Sequence, residues 1–219
     1  MPPKTERRTQ HSEESRRKIL QAAAEIATER GYDGTSVALV TKRSGLPASS
    51  VYWHFGSKDE LLAAVIEHSH RDWLPETPAW QPPAPGVSRL DHLRQVLRDA
   101  GRTFASHPTF MRLGLMLMLE RRVVEPAARA RFLRIRQQTL EEMSNWWAAV
   151  LPPEVVERRP KIALHLAQLN MAAADGLYAM SAGHEEGVDL MELQDLLATA
   201  LDAVAERVIQ EVREELGEE

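Results

Sequence analysis

The 219-residue sequence predicts an all-α protein, on three observations. Apolar residues recur every three to four positions, as they do along one face of a helix. No stretch shows the sustained alternation with β-branched residues that is typical of strands. Glycine and proline stand between long segments rich in Ala, Leu, Glu and Arg. With 43% hydrophobic residues, the chain is long enough to bury a core without covalent cross-links.

Four helices are predicted before residue 67. The first begins near Ser12, whose hydroxyl can cap it, and ends at Gly31. Two short helices over residues 36–44 and 47–54 follow, and Ser57 caps a fourth helix. The side chains expected to face inward are Ile19, Ala23, Ile26, Ala27, Val37, Val40, Leu46, Val51, Leu61, Leu62, Val65 and Ile66.

Residues 75–86 contain five prolines and cannot be helical, so they are the best candidate for a link between two subdomains. The helical patterns beyond this link are longer, and each has a Pro, Ser or Asp near its start, as helix entry favours. These predicted helices span residues 88–106, 108–122, 126–151, 160–183 and 189–215.

The net charge of −5 is distributed unevenly along the chain. Residues 1–58 carry 10 lysines and arginines against 6 acidic residues, a balance of +4, and the remainder carries −9. A positive end is where DNA would bind, although +4 is a weak field and a solvated basic tail is an equal alternative.

The composition excludes several other classes of function. The chain has no cysteine, so disulfides, thiolate metal sites and a cysteine nucleophile are ruled out. There is no apolar leader and no run of eighteen uncharged apolar residues, so we expect a cytoplasmic protein that is neither secreted nor membrane-bound. No cofactor and no metal are expected.

Residues 35–65 have the pattern of a helix-turn-helix followed by a buttressing helix. Gly45 can adopt the left-handed conformation of a sharp turn without a Cβ penalty. With the valines facing inward, the outer face of residues 47–54 carries small polar and aromatic groups, which is unusual for a face that is merely solvated. Such a helix can enter the major groove of DNA.

This segment resembles the DNA-binding domain of the tetracycline-repressor family. The residues at the family spacing are Thr35, Ser36, Val37, Val40, Gly45, Leu46, Ser50, Val51, Tyr52, His54, Phe55, Ser57, Lys58, Glu60 and Leu61, preceded by Ile19, Ala22, Ala23, Gly31 and Tyr32. The resemblance covers about residues 15–66. It implies a DNA-binding domain over residues 1–57 and a helical effector-binding and dimerisation domain over residues 58–219.

The resemblance also assigns DNA contacts by position. Thr35 and Ser36 would bind phosphate at a helix N-terminus, with helix capping as their alternative role. Tyr52, His54 and Lys58 would contact further phosphates. The residues implied to face the bases are Ala48, Ser49, Ser50 and Trp53.

The sequence departs from the commoner family pattern at Thr41, Ser44, Pro47, Ala48 and Ser49, so the operator sequence cannot be inferred. Outside the matched segment, Lys4, Arg7 and Arg8 form either an arm that follows the DNA backbone or a plain disordered tail. The second is the preferred interpretation.

The resemblance further implies a homodimer and a small-molecule effector. Apolar stripes on the last two helices would make a four-helix seam across a two-fold axis, or else belong to the internal core. The predicted seam residues are Ile162, Leu166, Leu169, Ala173, Leu193, Leu197, Leu201, Val204 and Val208. The predicted effector residues are Phe104, His107, Phe110, Met111, Met116, Trp146, Trp147, Asn170 and Asp175. Each of these, taken singly, is more often a core residue. Asp175 is the exception, because an acidic residue inside an apolar helix pattern must find a partner or a cation.

The expected function is that of a transcription regulator, not an enzyme: a repressor that binds a palindromic double-stranded operator as a homodimer and is released by a small molecule. The alternative is a helical-bundle metalloenzyme of the di-iron type. Glu67 and His70 form one Glu-x-x-His step on a helix face, but a di-iron bundle needs two such steps, and the second is missing.

Overall fold

The computed structural model describes residues 4–73, 80–106, 108–119, 126–183 and 189–217, and these residues contain helices and no strand. The helices are α1 Lys4–Gly34, α2 Val37–Ser44, α3 Ala48–Phe55, α4 Lys58–Trp73, α5 Arg89–Ser106, α6 Pro108–Leu119, α7 Ala127–Val150, α8 Pro153–Arg158, α9 Ile162–Ala182 and α10 Leu190–Leu216. The all-α prediction is confirmed. None of the helices described is long and apolar enough to cross a membrane.

Two features of the helices differ from the prediction. Helix α1 begins at Lys4 rather than near Ser12, since no proline or glycine interrupts the polar segment between them. Lys4, Arg7 and Arg8 therefore lie in a helical backbone and not in a disordered tail. Helix α8 was not predicted; it starts at Pro153, which fits the first turn of a helix because a missing N–H costs nothing there.

The chain divides into two compact units. Unit 1 comprises the described residues of Met1–Pro75 and His107–Arg134, and unit 2 those of Glu76–Ser106 and Ile135–Glu219. Helix α7 therefore has residues 127–134 in unit 1 and the rest in unit 2. The functional boundary expected between residues 57 and 58 stays a prediction.

The core of unit 1 forms where α1 packs against α4 and α6. Ile19 and Ile26 of α1 and Leu62 of α4 are fully buried, and each such side chain contributes about 1.5–3 kcal/mol to folding. Helices α6 and α7 approach closely at Gly114, where an added Cβ would overlap the Phe132 ring. This packing fixes α4, and with it the end of the helix-turn-helix.

Ion pairs join α5 to α10 in unit 2. Near the start of α5, Arg89 donates to Asp202 at 2.7 Å and to Glu206 at 2.6 Å. Later in α5, Arg98 Nε donates to Asp195 Oδ1 at 2.6 Å. The order of these partners shows that the two helices run antiparallel.

Tryptophans dominate the core of unit 2. Trp146 and Trp147 of α7 are buried, with ring centroids 4.9 Å apart in an edge-to-face arrangement. The non-helical segment before α5 covers Trp146, because Trp80 packs against its ring and Gln81 O accepts a hydrogen bond from Trp146 Nε1 at 2.8 Å. Residues 80–86, the part of the predicted link that the structure describes, thus belong to unit 2.

Candidate nucleic-acid interface

The turn between α2 and α3 lies at Gly45. Its backbone has φ 71° and ψ 11°, the left-handed region that favours glycine, and its N–H donates to Thr41 O at 3.0 Å. On the inner side, Val40 and Val51 are fully buried. The predicted helix-turn-helix is confirmed as a fold.

The outer face of α3 is open to solvent. Trp53 is 74% exposed and Tyr52 is 52% exposed. Ala48 and Ser49, in the first turn, are exposed, and Ser50 is half-buried. Two large aromatic side chains are rarely left in water on one short helix unless the face has a partner.

Ser36 and Thr35 have different environments, although the resemblance implies the same phosphate-binding role for both. Ser36 is exposed and caps α2, its Oγ accepting from the Leu39 N–H at 3.3 Å. Thr35 is buried, and its hydroxyl donates to Gly31 O at 2.8 Å. The Thr35 hydroxyl therefore does not reach the surface where a phosphate contact was expected, and it instead closes the end of α1.

Lys58 begins α4 and is half-buried, with its Nζ 4.7 Å from the centroid of the Tyr32 ring. The ring attracts the ammonium and limits where it can point. The preceding residue, Ser57, caps the helix by accepting from the Glu60 N–H at 3.1 Å. Lys58 is thus held at the N-terminus of α4, where a helix favours an anion.

A second cation lies beside α3. The Arg16 guanidinium of α1 is 5.1 Å from the centroid of the Phe55 ring. Burial lowers the pKa of His54 below its usual 6.5, and the positive charge of Arg16 lowers it further. His54 consequently carries little charge at neutral pH until an anion approaches it.

The predicted effector residues fall in two units. Phe110, Met111 and Met116 belong to unit 1, where the Phe110 ring packs on Phe132 at 5.2 Å and Met116 touches Gly31. The side chain of Phe104, and His107 altogether, lie outside the described residues. The predicted residues in unit 2 are Trp146, Trp147, Asn170 and Asp175.

Asp175 lies in an apolar helix pattern, so its carboxylate was expected to need a partner. The structure shows that this partner is Arg136. Both carboxylate oxygens accept from the Arg136 guanidinium of α7, at 2.8 and 2.6 Å. The pair is half-buried, with 16% and 21% of the two side chains exposed. This ion pair joins α7 to α9.

Four buried polar atoms of unit 2 have no hydrogen-bond partner among the described residues. They are His92 Nε2, Trp147 Nε1, Asn170 Nδ2 and Gln194 Oε1. Gln194 was not predicted, although it lies in phase with Ala198, Leu201 and Ala205, a buried stripe that could have revealed it. Because an unpaired buried polar group is costly, each of these atoms would gain from a hydrogen-bonding partner.

The predicted seam residues of α9 and α10 differ in how far they are exposed. Leu166 and Leu201 are buried in the core of unit 2, so they face their own protomer. Leu169 and Val204 are exposed, as are Leu164 and Leu196, which were not predicted. The remaining predicted residues are half-buried: Ile162, Ala173, Leu193, Leu197 and Val208.

The Glu67 and His70 side chains have structural neighbours. Glu67 forms an ion pair with Arg131 of α7. His70 packs against the Phe110 ring with centroids 5.1 Å apart. Among the described residues, no group of three or more potential ligands could hold a metal ion.

Comparison with known proteins identifies the N-terminal region. Residues 19–65 match the family model described as bacterial regulatory proteins, tetR family. An HTH-type transcriptional repressor of Mycobacterium tuberculosis is 41% identical over 68 residues, which cover 30% of this chain and 36% of the relative. The HTH-type transcriptional regulator TtgR of Pseudomonas putida is 34% identical over 65 residues, 29% of this chain and 31% of the relative. The matches therefore span about a third of these relatives.

Solved structures extend the likeness to the whole fold. A TetR-like transcriptional regulator from Rhodococcus has a TM-score of 0.62 at 20% identity, covering 84% of this chain and 93% of that one. A tetR-family regulator from Streptomyces coelicolor has a TM-score of 0.63 at 19% identity, covering 94% and 90%. The helix-turn-helix, its exposed outer face and these likenesses agree: residues 19–65 are similar to the tetR family of bacterial regulatory proteins, and the chain has the fold of these two solved structures.

Proposed function

We propose that the protein is a DNA-binding transcription regulator, a repressor that binds a palindromic operator as a homodimer and leaves it when a small molecule enters unit 2. The observation that carries DNA binding is the exposure of Tyr52 and Trp53 on α3, the helix that follows the Gly45 turn. The matched relatives are described as transcription regulators, not enzymes.

The phosphate contacts in this proposal come from both sides of α3. Ser36 at the start of α2 and Lys58 at the start of α4 combine a side chain with a helix N-terminus, and Tyr52 and His54 add hydrogen-bonding groups. The residues proposed to meet base edges are Ala48, Ser49, Ser50 and Trp53. Thr35 is not part of this set.

Selection of bound sequences from a random pool of duplexes tests the DNA-binding proposal. Recovery of a palindrome supports specific binding by a two-fold dimer. Lys58→Ala should then weaken binding to all sequences and reduce its salt dependence, whereas Ser50→Ala should change preference among sequences. Lys161→Ala, which removes an exposed lysine of unit 2, is the charge-matched control. Failure to enrich any duplex would exclude the proposal.

The proposed dimer seam is the exposed apolar face of α9 and α10. Leu169 and Val204 are 50% and 42% exposed, and the helices that carry them are neighbours. A second copy related by a two-fold axis would cover this face with the same face. Leu169→Glu and Val204→Glu should give monomers by sedimentation equilibrium, while Leu119→Glu, at a 79% exposed position of unit 1, should not. Unchanged dimers in both seam variants would refute this seam.

The effector proposal rests on Trp147 and Asn170, whose buried polar atoms lack partners among the residues described. A small molecule that brings hydrogen-bonding atoms to them would stabilise the bound form of unit 2. Screening a library of small organic molecules for release of the selected duplex tests this. Asn170→Leu should abolish the response to an active compound without affecting DNA binding in its absence. A full response in Asn170→Leu would show that the effector binds at another site.

A further inference from the structure

A single carboxylate at the start of α4 holds two other helices. Asp59 Oδ1 accepts a hydrogen bond from Tyr32 Oη, in the last turn of α1, at 2.9 Å. Asp59 Oδ2 accepts one from the backbone N–H of Ala127, the first residue of α7, at 2.7 Å. All three residues belong to unit 1.

The two contacts are of the kind that ionised carboxylates make most strongly. Ala127 N–H is one of the donors that a helix leaves unsatisfied at its N-terminus, and a negative charge there is favoured by the helix dipole. A second contact between the same helices, the ion pair of Glu67 with Arg131, lies about two turns further along α4. Helix α7 therefore contacts α4 at two points, one at Asp59 and one at Glu67.

The other neighbour of Tyr32 is the proposed phosphate-binding lysine. Lys58 Nζ lies over the ring whose hydroxyl donates to Asp59, the next residue in the chain. The ring of Tyr32 thus fixes the ammonium from one side while its hydroxyl fixes the first turn of α4. Lys58 and Asp59 therefore share one contact residue, Tyr32.

We propose that Asp59 is a positioning residue that links the start of α7 to the phosphate-facing end of α4, so that DNA binding and the position of α7 depend on each other. The inference rests on the proposed DNA-binding function and adds its route of regulation. Helix α7 continues into unit 2, where it carries Trp147. Coupling between two sites is reciprocal, so DNA must also order the start of α7.

Hydrogen–deuterium exchange with and without the selected duplex tests the proposal without any effector. In the natural protein, DNA should slow exchange in residues 48–55 and also in residues 127–134, by about tenfold in the latter, the usual scale of such coupling. Residues 198–212 of unit 2 serve as the internal reference for general stabilisation by the ligand.

Three variants separate the contacts. Asp59→Asn weakens both, Tyr32→Phe removes the α1 contact, and Ala127→Pro removes only the α7 donor at a position where proline suits a helix. In Asp59→Asn and Ala127→Pro, DNA should still slow exchange in residues 48–55 but no longer in residues 127–134. Glu60→Gln removes the adjacent exposed charge and should behave as the natural protein does.

The outcomes distinguish this inference from the function on which it rests. If DNA slows exchange in residues 48–55 but the response of residues 127–134 is absent in the natural protein or unchanged in Ala127→Pro, the coupling is refuted and DNA binding stands. If no duplex slows exchange in residues 48–55, DNA binding itself fails. Circular dichroism of each variant establishes that it is folded, and Ala127→Pro decides the question if Asp59→Asn does not fold.

Discussion

Trp53 and His54 lie side by side on α3, with ring centroids 4.6 Å apart and ring planes at 78°. The Trp53 indole is 74% exposed, whereas the His54 imidazole is half-buried. The positive charge of Arg16 acts on the imidazole. The edge-to-face contact holds the imidazole at the margin of the surface that we propose to contact DNA. This position makes the charge of His54 sensitive to what binds there.

DNA binding should therefore strengthen as the pH falls from about 7.5 towards 6. Burial and then Arg16 lower the pKa of His54 in the free protein, and a DNA phosphate would raise it, so the complex takes up a proton. His54→Gln should abolish this part of the pH dependence in fluorescence anisotropy titrations. An identical pH profile in the two proteins would contradict the phosphate contact.

The lowered pKa of His54 has the opposite effect on folding: a fall in pH, which should strengthen DNA binding, should lower the stability of the folded chain. Because the pKa of His54 in the folded chain is below 6.5, its contribution to stability is fully present above pH 6.5 and declines as the pH falls through the folded pKa. Circular dichroism at each pH therefore accompanies the binding titration.

Thr35→Val should lower stability and leave operator affinity unchanged. The substitution keeps the shape of the buried side chain but removes the hydrogen bond to Gly31 O, which costs about 1–2 kcal/mol. Ser36→Ala loses an N-cap, about 1 kcal/mol, and should also weaken DNA binding. Urea denaturation and anisotropy titrations of both variants separate the two roles. If Thr35→Val folded but bound the operator more weakly, the result would support the predicted contact of Thr35 with phosphate.

Gly114→Ala should destabilise unit 1. Alanine in a helix is normally about 1 kcal/mol better than glycine, but here the added methyl overlaps the Phe132 ring, and overpacking costs about 1–3 kcal/mol or more. Phe132→Leu in the same chain should recover part of the loss. A double-mutant cycle from urea unfolding measures this coupling, and additive effects would show that the two residues are not in contact.

Arg136→Met should cost about 2 kcal/mol of unfolding free energy, because it leaves the half-buried Asp175 carboxylate without the guanidinium. Arg136→Met combined with Asp175→Leu should return most of that stability, since neither charge is then left unpaired. Thermal unfolding of the single and double variants checks this. Equal losses in the single and the double variant would mean that the unpaired Asp175 carboxylate is not the cause of the lost stability.

The helix-turn-helix was predictable because its constraints are local. Gly45 must turn the chain, Val40 and Val51 must face inward, and what remains of α3 must face outward. These requirements act over about ten residues, so the sequence pattern contains them. The same reasoning failed at Thr35, where the contact that buries the hydroxyl is made by the backbone of Gly31, and a backbone acceptor has no signature in the sequence.

The C-terminal sites were less predictable because they depend on which side of a helix faces which neighbour. An apolar stripe has the same periodicity whether it meets its own core or a second copy, and Leu166 and Leu201 proved to lie in the core. The partner of Asp175 is 39 residues away on another helix. Phe110 and Trp147 looked alike in the sequence but belong to different units.

The division of the chain has a consequence for how its parts can be exchanged. Each unit is assembled from two separate stretches, so the chain passes from one unit to the other three times. No single cut releases either unit whole: a fragment ending after α4 would lack α6, and the apolar faces of α1 and α4 that α6 covers would be left in water. A hybrid protein that keeps the proposed DNA-binding surface and takes a different unit 2 therefore requires three junctions, one of them inside α7.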